Sequence, residues 1–106
     1  MGKDKPQPLP LWKLVSGAFL GWRRGSDFFN INGERVGYFF GDKLYRDSDG
    51  VHAGSVHPFD KAKIGWRNGS VASRRAHRGT ASEKIEPAPL PNVTGFYDAA
   101  WSDPNI

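Results

Sequence analysis

His52, His57 and Asp60 lie within nine positions of one another and are of the types that bind zinc or iron. Such a site needs three or four donors converging at about 2 Å, and neighbouring strands and turns can supply that spacing. Here each residue has a plainer role. His52 reads as lying on a strand surface, and His57 opens a His-Pro turn, so neither metal nor cofactor is expected. Asp47 and Asp49 are spaced like a pair of carboxylates for acid–base work, yet they precede Gly50 in a turn phrase. Ser26, Ser48 and Ser70 sit in similar turn phrases, where a hydroxyl serves backbone geometry rather than nucleophilic attack. The chemistry-bearing residues therefore point away from an enzyme, and no small-molecule substrate is evident.

The stronger binding signal is basic. From Lys61 to Lys84 there are seven basic residues and one acid, Glu83, whereas positions 85–106 carry Glu86, Asp98 and Asp103 and no base. Lys61, Lys63, Arg67, Arg74, Arg75 and Arg78 are the candidate contacts to nucleic acid or another anion, since Lys and Arg neutralise phosphates. Trp66 lies within this stretch and an exposed indole would stack on a base. It also repeats the position of Trp22, which favours packing in a sheet with Arg67 turned to solvent. The acidic tail is a competing partner for the same arginines.

The elements that position these groups follow from a repeated phrase. Gly21-Trp22-Arg23-Arg24-Gly25-Ser26 is nearly restated as Gly65-Trp66-Arg67-Asn68-Gly69-Ser70, and a second aromatic unit starts at Gly37, sixteen residues after Gly21. That period suits one β-hairpin and its connection. Strands are expected over 18–24, 27–31, 34–40, 43–47, 51–56, 62–67 and 70–74. Gly25-Ser26 reads as a type II′ turn, and Asn32-Gly33 as a type I′ turn with positive φ at both residues. Residues 11–15 are too short a run for periodicity to choose between a helical turn and an edge strand. The fold class is all-β: short antiparallel hairpins in a radial or small barrel-like array, with extended, proline-containing arms at both ends. The divisions are an arm over 1–16, a hairpin domain over 17–75 and a basic-then-acidic arm over 76–106. The proline segments 8–10 and 87–91 are stiff and extended, fit as spacers or as ligands of an aromatic groove.

At 106 residues with no cysteine, the chain has a core near the lower size limit and no disulfide or thiolate metal site to reinforce it. Phe28 and Phe29 point to opposite faces of their strand, as do Phe39 and the set Val36, Tyr38 and Phe40. Both faces then need cover. This predicts a homo-oligomer or a close wrap of the arms, with Phe28, Phe39 and Tyr45 at the association surface and Phe96, Tyr97 and Trp101 as anchors of the C-terminal arm.

Positions 36–50, from Val36-Gly37-Tyr38 through Gly41-Asp42 to Ser48-Asp49-Gly50, resemble the bacterial four-fold β-flower domain, which strings together hairpins with a Gly-aromatic, Gly-Asp and Asp-Gly rhythm. The resemblance covers roughly 19–56, with a weaker echo to Val71, and Trp101-Ser102 matches a Trp-Ser element that often follows a basic stretch in that family. The chain departs from the pattern around His57-Pro58-Phe59-Asp60, where a unit is shortened, and after Arg74, where repetition fades. The resemblance implies a β fold and no catalytic residues. No segment is apolar enough to span a membrane, and the cytoplasm is the expected compartment. The functional expectation is a non-catalytic structural or interaction module that self-associates; the alternative is a small nucleic-acid-binding β module using 61–78.

Overall fold

Glycine-led turns punctuate the chain every few residues, and each folds the preceding strand back on itself. The computed structural model describes residues 7–71, 73–75 and 84–106. Among them are β1 (Leu9–Lys13), β2 (Phe19–Arg24), β3 (Asp27–Phe29), β4 (Arg35–Phe40), β5 (Lys43–Arg46), β6 (His52–His57), β7 (Asp60–Arg67) and β8 (Trp101–Ser102). Every consecutive pair is antiparallel, and β1 also pairs with β7, so the first seven strands form a closed barrel with β8 added outside β7. The β1–β7 pairing is parallel, through Trp12↔Lys63 and Lys13↔Ile64. No helix among the described residues is long and apolar enough to cross a membrane.

The expected all-β barrel-like array is thus present, with differences in detail. Residues 9–13, assigned above to an arm, are the strand that closes the barrel. Pro10 is accommodated there opposite Trp22 of β2. No strand forms among the described residues of 70–74; Arg74 contributes an isolated bridge to Val51. His57-Pro58-Phe59-Asp60 is a tight connection between β6 and β7, with His57 paired directly to Asp60.

The turn at Asn32-Gly33 also differs. Only Gly33 has positive φ, at 82°, and Asn32 does not. Asn30 accounts for this: its carbonyl accepts from Gly33 N–H at 2.9 Å, and its side-chain Oδ1 accepts from the N–H groups of Asn32 and Glu34. An Asx-stabilised turn ending in a left-handed glycine replaces the two-residue type I′ turn. At Gly25-Ser26 the geometry matches type II′: Gly25 has φ 63°, Ser26 is not positive, and Arg24 pairs with Asp27.

Closure decides where the apolar groups go. Leu11, Leu20, Phe28, Phe39, Leu44, Val56 and Ile64 form one buried cluster, one residue from each barrel strand. Phe28 and Phe39 meet there edge to face, with centroids 6.2 Å apart. Both lie inside the barrel and not on an association surface, as expected above; rolling the sheet up covers that face without a partner. A bulge between Phe28 and Phe29 leaves Val36 without a partner in register, and Val36 packs against the interior although Tyr38, two residues on, faces out. On the outer wall a second cluster joins Phe19, Trp22 and Phe29 with Ile85 of the tail, and Trp12 packs against it.

The C-terminal arm lies on the barrel itself. Ile85 N–H donates to the Gly33 carbonyl, Val93 N–H to Gly17 and Phe96 N–H to Leu14. Asn92 Oδ1 accepts from Phe19 N–H, and Asp103 Oδ1 accepts from the N–H groups of Val15 and Ser16. Pro91 accepts from the Trp12 indole at 2.9 Å, Asn105 N–H donates to the Ala53 carbonyl, and Ile106 packs against the barrel cluster. On the outer wall Arg35 bridges Asp27 at 2.9 Å and Asp47 at 2.6 Å.

Two glycines separate the forces involved. Gly41 holds φ 62° in open space, so Gly41→Ala should cost only the left-handed backbone penalty, about 1 kcal/mol. A Cβ on Gly95 would overlap the Val15 carbonyl, lifting the arm and sacrificing its backbone bonds to Gly17 and Leu14. Gly95→Ala should therefore cost about 2–3 kcal/mol, from two lost hydrogen bonds and overpacking. Urea unfolding midpoints test this ranking; equal shifts for the two variants would show that the arm is not seated as described.

Candidate functional site

Four rings run across β4 to β7. Tyr38 and Tyr45 are cross-strand partners and stack at 5.5 Å, Tyr45 lies 5.5 Å from His52, and His52 lies 4.9 Å from Trp66. Tyr38, Tyr45 and His52 are buried, so Tyr45 is not an exposed association residue either. Arg75 lies over Phe40 at 3.7 Å and, more distantly, over Tyr45. The chain following β7 passes above: His52 N–H donates to the Ser73 carbonyl and Arg75 N–H to Gly50. His52 Nε2 is 2.8 Å from the Gly54 carbonyl, which places the proton on Nε2, and 3.1 Å from Ser55 Oγ. Burial holds this imidazole below its usual 6.5; nearby Lys43 pushes the same way, and the Gly54 and Val71 backbone contacts oppose it.

His57 stands at the centre of a second aromatic group. Its ring is 5.2 Å from Trp101, 5.8 Å from Phe59 and 6.2 Å from Phe96. Its Nδ1 accepts from Phe59 N–H at 3.3 Å. Trp101 is half-buried, held by the pairing of β8 with β7 and by Asn68, whose N–H donates to the Ala100 carbonyl. Phe96 is mostly exposed, and Tyr97 and Phe59 are almost fully so. Of the three expected arm anchors, Trp101 packs on the barrel, whereas Phe96 and Tyr97 face outward.

The basic residues do not form one strip. Lys61 borders a groove with Trp12 and Arg23 beside β1. Lys63 pairs with Asp60 at 3.3 Å. Arg67 faces a different cleft, together with Lys43. Arg74 lies near Asp49, and Arg75 is occupied by Phe40. Arg78 lies outside the described residues. Asp98 instead caps its own turn by accepting from Ala100 N–H.

The carboxylates Asp47 and Asp49 are claimed by different cations, Asp47 by Arg35 and Asp49 by Arg46 at 2.8 Å. The Val51 N–H, and then the Arg46 guanidinium, hold the Asp49 carboxyl below the usual carboxylate range. An acid–base pair needs two carboxyl groups facing one reacting centre, and these two are separately tied. Among the described residues no three His, Cys, Asp or Glu side chains come together in a way that would hold a metal. Lys43, Ser55 and Ser73 were not singled out by the sequence. The signal that joins Lys43 to Ser55 is strand register, which a linear reading lacks.

No protein-family model, curated protein or solved structure matches this chain. The resemblance to the β-flower domain rests on the turn rhythm alone.

The depressed His52 pKa links protonation to stability. The unfolded chain takes up a proton near pH 6.5 and the folded chain only at a lower pH. The stability contributed by neutral His52 is complete above about pH 6.5 and is lost as pH falls through the folded-state value. Urea midpoints of the native protein should decline between pH 7 and 5. His52→Gln should lower the midpoint at pH 7 and reduce that decline; an unchanged pH slope would dissociate His52 from it.

Proposed function

We propose that the barrel is a non-catalytic interaction module that pairs with a second copy of itself through the flank formed by Phe59, Phe96 and Tyr97. The observation that carries this reading is their exposure, 91%, 52% and 81%, with Phe59 and Phe96 both set against the His57 ring and Tyr97 next to Phe96 in the chain. Aromatic side chains of this size are the usual energetic centre of a protein interface. The flank also carries both signs of charge, with Asp60 and Lys61 beside Phe59 and Asp98 beside Tyr97. A two-fold interface brings each patch against its own copy, so a rim holding both signs is self-complementary. A barrel held together without disulfides suits the cytoplasm, the compartment we expect.

Binding of nucleic acid through 61–78 is the alternative, and one pair of measurements separates the two. Sedimentation equilibrium at micromolar concentration should give a dimer, and Phe59→Ser with Tyr97→Ser should weaken it at least tenfold without changing the circular dichroism spectrum. A monomer at 100 μM would overturn the proposal. If that monomer retains a single-stranded oligonucleotide at low salt and releases it steeply with added salt, the alternative takes its place.

A further inference from the structure

Two cations face one cleft with no carboxylate to neutralise them. Lys43 on β5 stands across from Ser55 on β6, and Ser55 stands across from Gly65 on β7, two residues before Arg67. The turn after β7 brings Ser70 and Ser73 over the same space, anchored where the Ser73 carbonyl accepts from His52 N–H at 2.8 Å. The cleft is open to solvent and has a volume of about 540 Å³, within the range typical of small-molecule sites. Lys43, Arg67, Ser55, Ser70 and Ser73 supply its charge and hydroxyls, and Trp101 and Pro58 form an apolar wall. Among the described residues, no Asp or Glu lines it. Arg35, Arg46 and Lys63 each hold an aspartate, whereas neither Lys43 nor Arg67 has an ion pair among the described residues.

We propose that this cleft binds a small organic phosphate, with the phosphate between Lys43 and Arg67 and its apolar part against Trp101. A phosphate monoester is close to a dianion at neutral pH and offers three acceptor oxygens. Arg supplies a planar fork for two of them and Lys a compact charge, while serine hydroxyls donate to what remains. The apolar wall distinguishes a monoester bearing a ring or hydrocarbon from the bare ion. Lys43, already close enough to His52 to disfavour its protonation, would be partly neutralised by the ligand, making the His52 ring a reporter. The cleft shares Trp101 with the aromatic flank, but the exposed residues Phe59, Phe96 and Tyr97 do not line it.

Phenyl phosphate and inorganic phosphate, titrated separately into the full chain at low salt and followed by two-dimensional NMR, test the proposal. Phenyl phosphate should give saturable shifts at the Trp101 indole N–H and the His52 ring, with at least threefold tighter binding than inorganic phosphate. Lys43→Ala and Arg67→Ala, both at exposed positions, should each weaken it at least fivefold. Lys84→Ala removes the same charge beside Glu34, away from the cleft, and should leave affinity unchanged. Shifts that never saturate, equal affinity for the two phosphates, or an equal loss in Lys84→Ala would overturn it, leaving only diffuse attraction to a basic protein.

Discussion

The whole structure depends on the pairing of β1 with β7. An antiparallel meander with an odd number of strands can close only by bringing its first and last strands together in parallel. Here that seam is short: Trp12↔Lys63 and Lys13↔Ile64, extended by Leu14 N–H to the Ile64 carbonyl at 2.9 Å. The fully buried layer of the interior takes one side chain from each of the seven strands, with Val36 and Ile106 packed against it. If β1 leaves, Leu11 leaves the layer and the remaining six side chains border an open edge. The same strand and its following turn hold the tail through Trp12, Leu14, Val15, Ser16 and Gly17. One seam therefore carries both the core and the arm.

The outer wall is held by a different balance. Arg35 is buried between Asp27 of β3 and Asp47 beyond β5, an arrangement whose attraction is largely offset by the cost of removing the charges from water. Its value lies in direction: a guanidinium fork fixes the relative positions of three successive strands where bulges have disturbed the ladder. Apolar contacts on the same wall, among Phe19, Trp22, Phe29 and Ile85, are less directional and supply bulk burial. The tail is thus fastened by hydrophobic area at Ile85 and by backbone hydrogen bonds further along.

What the sequence made legible was local. Gly25-Ser26 and Gly41-Asp42 announced their hairpins because a glycine with positive φ is a short-range requirement, and the strands on either side followed. Asn30 was overlooked because its side chain changes the turn from outside the Asn32-Gly33 pair that looked decisive. The misplacements of residues 9–13 and of Phe28 and Phe39 were consequences of closure. Leu9–Lys13 looked like an arm because prolines flank and enter it, and nothing within 1–16 reveals that β7 waits about fifty residues away. Phe28 and Phe39 looked like surface because a flat sheet has two faces to cover, whereas a barrel turns one of them inward; Tyr45 stays on the outer wall, covered by Tyr38, His52 and Arg75. The cleft of Lys43 and Arg67 was invisible for the same reason: its charges come from separate strands, and their common register exists only after pairing. The basic run 61–78, conspicuous in the sequence, is dispersed by the alternation and curvature of the strands that carry its first half.

The brevity of the closing seam has a kinetic side. Hairpins β2 to β7 can each form from neighbouring residues, on the microsecond scale typical of such units. Joining β1 to β7 is a long-range event that must await them all, and ordering so large a loop makes it slow. Until then the molecule is an open ribbon with two bare edges, one on β1 and one on β7, each complementary to the other. A second ribbon nearby presents the same edges in the same register. The bonds that seal one chain will then link two by exchange of β1, with no change in the sequence or in the list of contacts. Raising the protein concentration during refolding is therefore expected to favour exchange of β1 between two chains over closure within one.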